Sequence, residues 1–142
     1  FSKSERRKIM ARLLIIHSAD KKTEEIGKTI KNITEKKGYQ VDMVEAGKGR
    51  DEISFYKYDL IIAGSPSNGI FKGRPADDIR KTLSRSKQTV GKESMAYIVP
   101  SFFGNTKALR LLMAELEKLG CVVKDFASLK NKESAEEFAN KL

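Results

Sequence analysis

Three short apolar runs constrain what this chain can fold into: Leu13-Leu14-Ile15-Ile16, Leu60-Ile61-Ile62-Ala63 and Met95 to Val99. Continuous runs of this length read as strands buried on both faces, since a half-exposed strand alternates and a buried helix needs more residues. Each run ends in a loop of small polar, glycine or aromatic residues: Ser18 to Thr23, Ser65 to Phe71 and Pro100 to Asn105. Helical spacing of apolar residues follows each loop, at Ile26, Ile30 and Ile33, at Ile79 and Leu83, and at Leu109, Leu112 and Leu116. Strand, tight loop and helix start together suit an anion, because the first helical amides have no internal partner and the helix dipole favours negative charge there.

The remaining segments complete the pattern. Thr23 to Lys37 reads as a helix stopped by Gly38, and Tyr39, Val41 and Met43 then alternate as a strand near a sheet edge. Gly47-Lys48-Gly49-Arg50 is a turn cluster, and Asp51 to Lys57 is expected to form a short helix. A helix is expected to begin near Pro75, and Asn105 to cap another over Thr106 to Leu119. Gly120 closes that helix, Cys121 to Phe126 forms the last strand, and Ser134-Ala135-Glu136-Glu137 has capping-box spacing for a terminal helix.

Strand and helix therefore alternate five times. Right-handed crossovers turn that alternation into a five-stranded parallel sheet covered on both faces, a three-layer α-β-α sandwich. In open sheets of this kind ligands bind beyond the carboxyl ends of the strands. The three small-residue loops fall at that end, and the loops around Gly38 and Gly120 at the other are plain helix stops.

At 142 residues the chain suits one domain, expected over residues 11–142. Residues 1–10 are polar and basic and read as a flexible leader or a linker, with no apolar stretch behind them to make a secretory signal. Hydrophobic residues at 39% and charged residues at 33% suit a soluble protein, and no run reaches the roughly 20 apolar residues of a membrane helix. Cys121 is the only cysteine, so no internal disulfide can form; it is expected to be a small buried hydrophobe in a reducing, cytoplasmic setting. His17 is the only histidine, and without a second histidine or a cysteine cluster no transition-metal site is expected. It reads as a satisfied strand-end residue. The net charge of +9 includes +3 from Lys3, Arg6, Arg7 and Lys8 against Glu5, which leaves +6 on the body. Lysine and glutamate are interspersed there and no nucleic-acid motif occurs, so the excess serves solubility or an acidic partner.

Taken together, the loops resemble those of the flavodoxin-like family over about residues 11 to 142. Ser18-Ala19-Asp20-Lys21-Lys22-Thr23 is similar to the family's phosphate loop, a Ser/Thr-rich run with glycine after the first strand. Ser18 and Thr23 match its outer hydroxyls, whereas Asp20 stands where threonine is usual and Lys21 where glycine is usual. Tyr58 to Pro66 resembles the third strand, which typically ends in Gly-Ser/Thr-Pro, and Met95 to Gly104 resembles the fourth strand and its flavin loop.

The resemblance implies strand order 2-1-3-4-5 and a non-covalently bound flavin mononucleotide (FMN). Its phosphate would lie on Ser18, Ala19, Asp20, Lys21, Lys22 and Thr23. The ring would lie between Ser65, Pro66, Ser67, Asn68 and Gly69 on one loop and Phe102, Phe103, Gly104 and Asn105 on the other. One of the two phenylalanines is expected to stack on the ring and the other to plug the core beneath the loop. Asp20 is either an ordinary helix cap that takes the amides a phosphate would use or a like charge that Lys21 and Lys22 offset. The implied activity is electron transfer with a redox partner protein, an electron carrier rather than a stand-alone enzyme, with no catalytic acid or base indicated. The alternative is a flavin-free binding or interaction module built on the same fold.

Overall fold

The buried runs are the inner strands of a parallel sheet. The computed structural model describes residues 11–48, 52–68 and 73–142. Its elements in chain order are β1 (Arg12–His17), α1 (Lys21–Lys36), β2 (Gln40–Glu45), β3 (Leu60–Asn68), β4 (Arg74–Pro75), α2 (Asp77–Ser84), β5 (Glu93–Val99), α3 (Asn105–Lys118), β6 (Val122–Ser128) and α4 (Lys132–Asn140). The path through the sheet is β2-β1-β3-β5-β6, every neighbour parallel, with the two-residue β4 pairing antiparallel to the end of β3. Without β4 this is the expected 2-1-3-4-5 order.

Alternation along the inner strands divides the core in two. Leu13, Ile15, Ile62, Met95 and Tyr97 face one side with Ile26 and Ile30 of α1 and Ala135, Phe138 and Ala139 of α4. Leu14, Ile16, Ile61, Ala63, Ala96 and Ile98 face the other with Ile79 and Leu83 of α2 and Ala108, Leu112 and Leu116 of α3. Each fully buried aliphatic side chain stabilises the fold by about 1.5–3 kcal/mol, which explains why the central strands carry no polar face. The outer strand β6 instead alternates exposed and half-buried residues. Among the described residues no helix is long and apolar enough to cross a membrane.

Several local expectations are corrected. β3 does not break at Gly64: Ser65 and Pro66 continue it against Ile98 and Val99, and Ser67 and Asn68 pair with Pro75 and Arg74. β1 ends opposite Gly64, so beyond that point β3 is an edge on one side, where proline is tolerated. Pro75 therefore lies in β4, and α2 starts at Asp77. The described part of the stretch 51–57 is not helical: Ile53 and Phe55 are buried at alternate positions and Ser54 bridges to Lys87, an extended arrangement whose two-residue period argues against a helix. α1 begins two residues earlier than expected, at Lys21. Gly104, in the left-handed conformation at φ +78°, is the N-cap of α3. The capping box of α4 joins Asn131 to Ser134, one turn before the expected box.

Candidate functional site

β1, β3 and β5 all end on the same side of the sheet, and their loops meet there. The first loop is built on Asp20, which has extended backbone and caps α1: Thr23 donates both its amide (2.9 Å) and its Oγ1 hydroxyl (2.7 Å) to Asp20 Oδ2. Of the two readings of Asp20, the helix cap is the one observed. Lys21 and Lys22, the first two helical residues, are exposed. Ser18 is buried and its hydroxyl donates to Asp78 Oδ1 at 2.7 Å, while the Ala19 amide donates to Asp78 Oδ2, also at 2.7 Å. One carboxylate from the first turn of α2 thus takes two donors of a loop 59–60 residues away. His17 is 3% exposed and its Nδ1 lies 2.8 Å from the Ser18 carbonyl, a satisfied strand-end histidine.

The second loop is held from below. Ser65 is fully buried and its Oγ accepts the Ala76 amide at 2.8 Å, which fixes the start of α2. Ser65 therefore faces the scaffold, half-buried Pro66 follows it, and Ser67 is buried 3.5 Å from Ser101 Oγ of the third loop. Asn68 ends β3, and Gly69 lies outside the described residues.

In the third loop the Asn105 side chain accepts the Ser101 amide (2.8 Å) and donates to the Ser101 carbonyl (2.9 Å), closing a tight turn. Phe102 and Phe103 project from that turn, 99% and 70% exposed. Neither plugs the core: the turn leaves both outside it, and the side chains that α3 contributes to the core are Ala108, Leu112 and Leu116. The backbone just after the second loop, at the start of β4, also meets the third loop. Gly73, at φ +82°, lies so close to Gly104 that a Cβ there would stand 2.4 Å from the Gly104 carbonyl oxygen.

The residues missing from the sequence reading are Asp78 and Gly73. Asp77-Asp78 reads as an acidic pair suited to the dipole of its own helix, and nothing local says that Asp78 faces Ser18.

No protein-family model matches the chain, and no curated protein does. Solved structures do. The chain is similar to flavodoxin 1 of Bacillus cereus with a TM-score of 0.71 and 18% identity, covering 92% of this chain and 96% of that one. It is similar to the two-electron-reduced flavodoxin of Megasphaera elsdenii with a TM-score of 0.72 and 18% identity over 90% of this chain and 98% of that one. The fold is flavodoxin-like. A flavoprotein from Lactobacillus acidophilus NCFM, solved in complex with FMN, also shares it, with a TM-score of 0.57, 20% identity and coverage of 84% and 93%.

A flavodoxin-like fold raises the question of whether these residues fit FMN. The Ser18 hydroxyl and the Ala19 amide converge on a two-oxygen anion, which is the chemistry a phosphate needs. That anion is Asp78, so the donor set fits a phosphate in place of the carboxylate and not beside it.

Proposed function

We propose that this flavodoxin-like chain binds FMN at the carboxyl ends of β1, β3 and β5 and takes part in electron transfer with a redox partner protein in the cytoplasm. The observation that carries the reading is the convergence of Ser18 Oγ and Ala19 N on one oxyanion at the start of α1. The solved relatives that share the fold, one of them an FMN complex, support it.

In this reading Ser18 and Ala19 supply the phosphate donors, Thr23 stays on the Asp20 cap, and Lys21 and Lys22 add positive charge beside the phosphate. Pro66, Ser67, Asn68 and Gly69 form one wall for the ring, which Ser65 holds from below. Phe102 or Phe103 stacks on the ring face, and Gly104 and Asn105 set the turn that presents them. FMN when bound supplies one- and two-electron redox chemistry, and the chain's part is to hold it, orient it and tune it. The +6 body favours a partner with an acidic docking face.

A second reading is a flavin-free interaction module, favoured by the close approach of Gly73 to Gly104 and by the carboxylate partners of the first loop. Reconstitution separates the two. The full chain is incubated with excess FMN, freed of unbound ligand and scanned for flavin absorbance. A yellow protein with quenched flavin fluorescence is expected; a colourless one leaves the interaction module.

A further inference from the structure

Asp78 reaches its position from a rigid base. Ile79 and Leu83 of α2 are fully buried, the Ala76 amide is bound to Ser65, and the Gly47 amide donates to Thr82 Oγ1 at 2.9 Å. The backbone that carries Asp78 is therefore fixed, and only the side-chain torsions can move its carboxylate. Asp78 is half-buried. Both of its long-range hydrogen bonds are 2.7 Å, the short length of charge-assisted pairs. A phosphate brought to Ser18 Oγ and Ala19 N would place a second anion within contact distance of the first, and in a partly buried site that repulsion is strong. Both cannot stay.

Building on the FMN reading, we infer that Asp78 is an internal competitor for the phosphate seat and the residue that sets this chain's discrimination between phosphorylated and unphosphorylated flavin. A flavin without phosphate leaves the Asp78 contacts intact. FMN enters by exchanging one anion for another: Asp78 swings into water, gives up the Ile79 amide that also donates to its Oδ1 at 2.6 Å, and passes the Ser18 and Ala19 donors to the phosphate. The phosphate's binding advantage is thus reduced by what Asp78 loses. Asp77 next to it serves as the internal control, since it is exposed and its oxygen pairs only with Arg80 at 3.5 Å among the described contacts.

The test measures FMN and riboflavin affinity by fluorescence quenching on the full chain, for the parent, Asp78→Asn, Asp78→Ser and Asp77→Asn, each checked for folding by circular dichroism. Asp78→Asn and Asp78→Ser are expected to tighten FMN on the order of 10- to 100-fold and to leave riboflavin unchanged, with Asp77→Asn like the parent. FMN affinity that is unchanged or weaker in both Asp78 variants overturns the inference, as does an equal gain for riboflavin or for Asp77→Asn. Inorganic phosphate, titrated at constant ionic strength, supplies an arm independent of the flavin. It is expected to raise the melting temperature of Asp78→Asn and not of the parent; equal effects, or none in either, overturn the role of Asp78. Failure of every protein to bind either flavin overturns the FMN reading instead.

Discussion

Tyr97 lies across Gly64: a Cβ built on that glycine would stand 2.1 Å from the ring carbon Cζ of Tyr97. The two residues are direct partners across β3 and β5, and the ring is fully buried, with its hydroxyl donating to the Thr23 carbonyl at 2.8 Å. The strand that ends at the third loop is thereby tied, by an aromatic side chain that crosses Gly64 of β3, to the first turn of α1, where the first loop closes. Gly64 is required by space and not by an unusual backbone. Gly64→Ala must displace a ring that has nowhere to go, and it is expected to destabilise the fold by about 1–3 kcal/mol in urea unfolding.

The same ring makes stability depend on alkaline pH. Burial, with the Asp20 charge as a lesser cause, holds the Tyr97 phenol well above the usual tyrosine range. The folded chain keeps that proton where the unfolded chain gives it up, so the contribution is complete below about pH 10 and declines as pH rises beyond it. The expected slope from this group is about 1.4 kcal/mol per pH unit. Tyr97→Phe is expected to lose about 1 kcal/mol at neutral pH with the hydrogen bond, and to flatten the alkaline decline by that slope. Denaturant midpoints measured from pH 8 to 11 on both proteins check it; parallel curves would show that Tyr97 does not titrate on unfolding.

Phe102 and Phe103 make a contrasting case. Both stand outside the core, so replacing either by alanine is expected to change stability by no more than about 0.5 kcal/mol. The one that stacks on the flavin is expected to weaken FMN binding by about 1–3 kcal/mol when truncated. Fluorescence titration of the two single mutants checks both parts, and unchanged affinity in each would place the ring elsewhere.

Asp20 supplies the cap of α1 with an acceptor that a threonine side chain can replace without the charge. The double change Asp20→Thr with Lys21→Gly is expected to tighten FMN by about 1–3 kcal/mol while riboflavin gains little. Its expected cost in stability is about 1 kcal/mol, because glycine in the first turn is a poor helix former. Paired titrations with the two ligands decide it: equal gains would mean that the first loop does not hold the phosphate.

What the amino-acid sequence determined by itself was the layering, the parallel sheet and the end of that sheet where the loops gather; the strand order came from the family resemblance and is the one the sheet shows without β4. The layering and the parallel sheet follow from local signals: the unbroken apolar runs at Leu13–Ile16 and Met95–Val99 need cover on both faces, and right-handed crossovers place helices there. A cap at Asp20 was one of two readings open in the sequence, because capping is settled within four residues, and it is the contact the structure shows. Tertiary structure alone decided that β3 runs on to Asn68 beside β4, that Gly73 meets Gly104, that both phenylalanines turn outward and that Asp78 answers Ser18. Each of these depends on which distant segments the sheet brings to one edge. Hydrophobic period and turn chemistry report a residue's own neighbourhood, and a carboxylate 60 residues from its hydroxyl partner leaves no trace there.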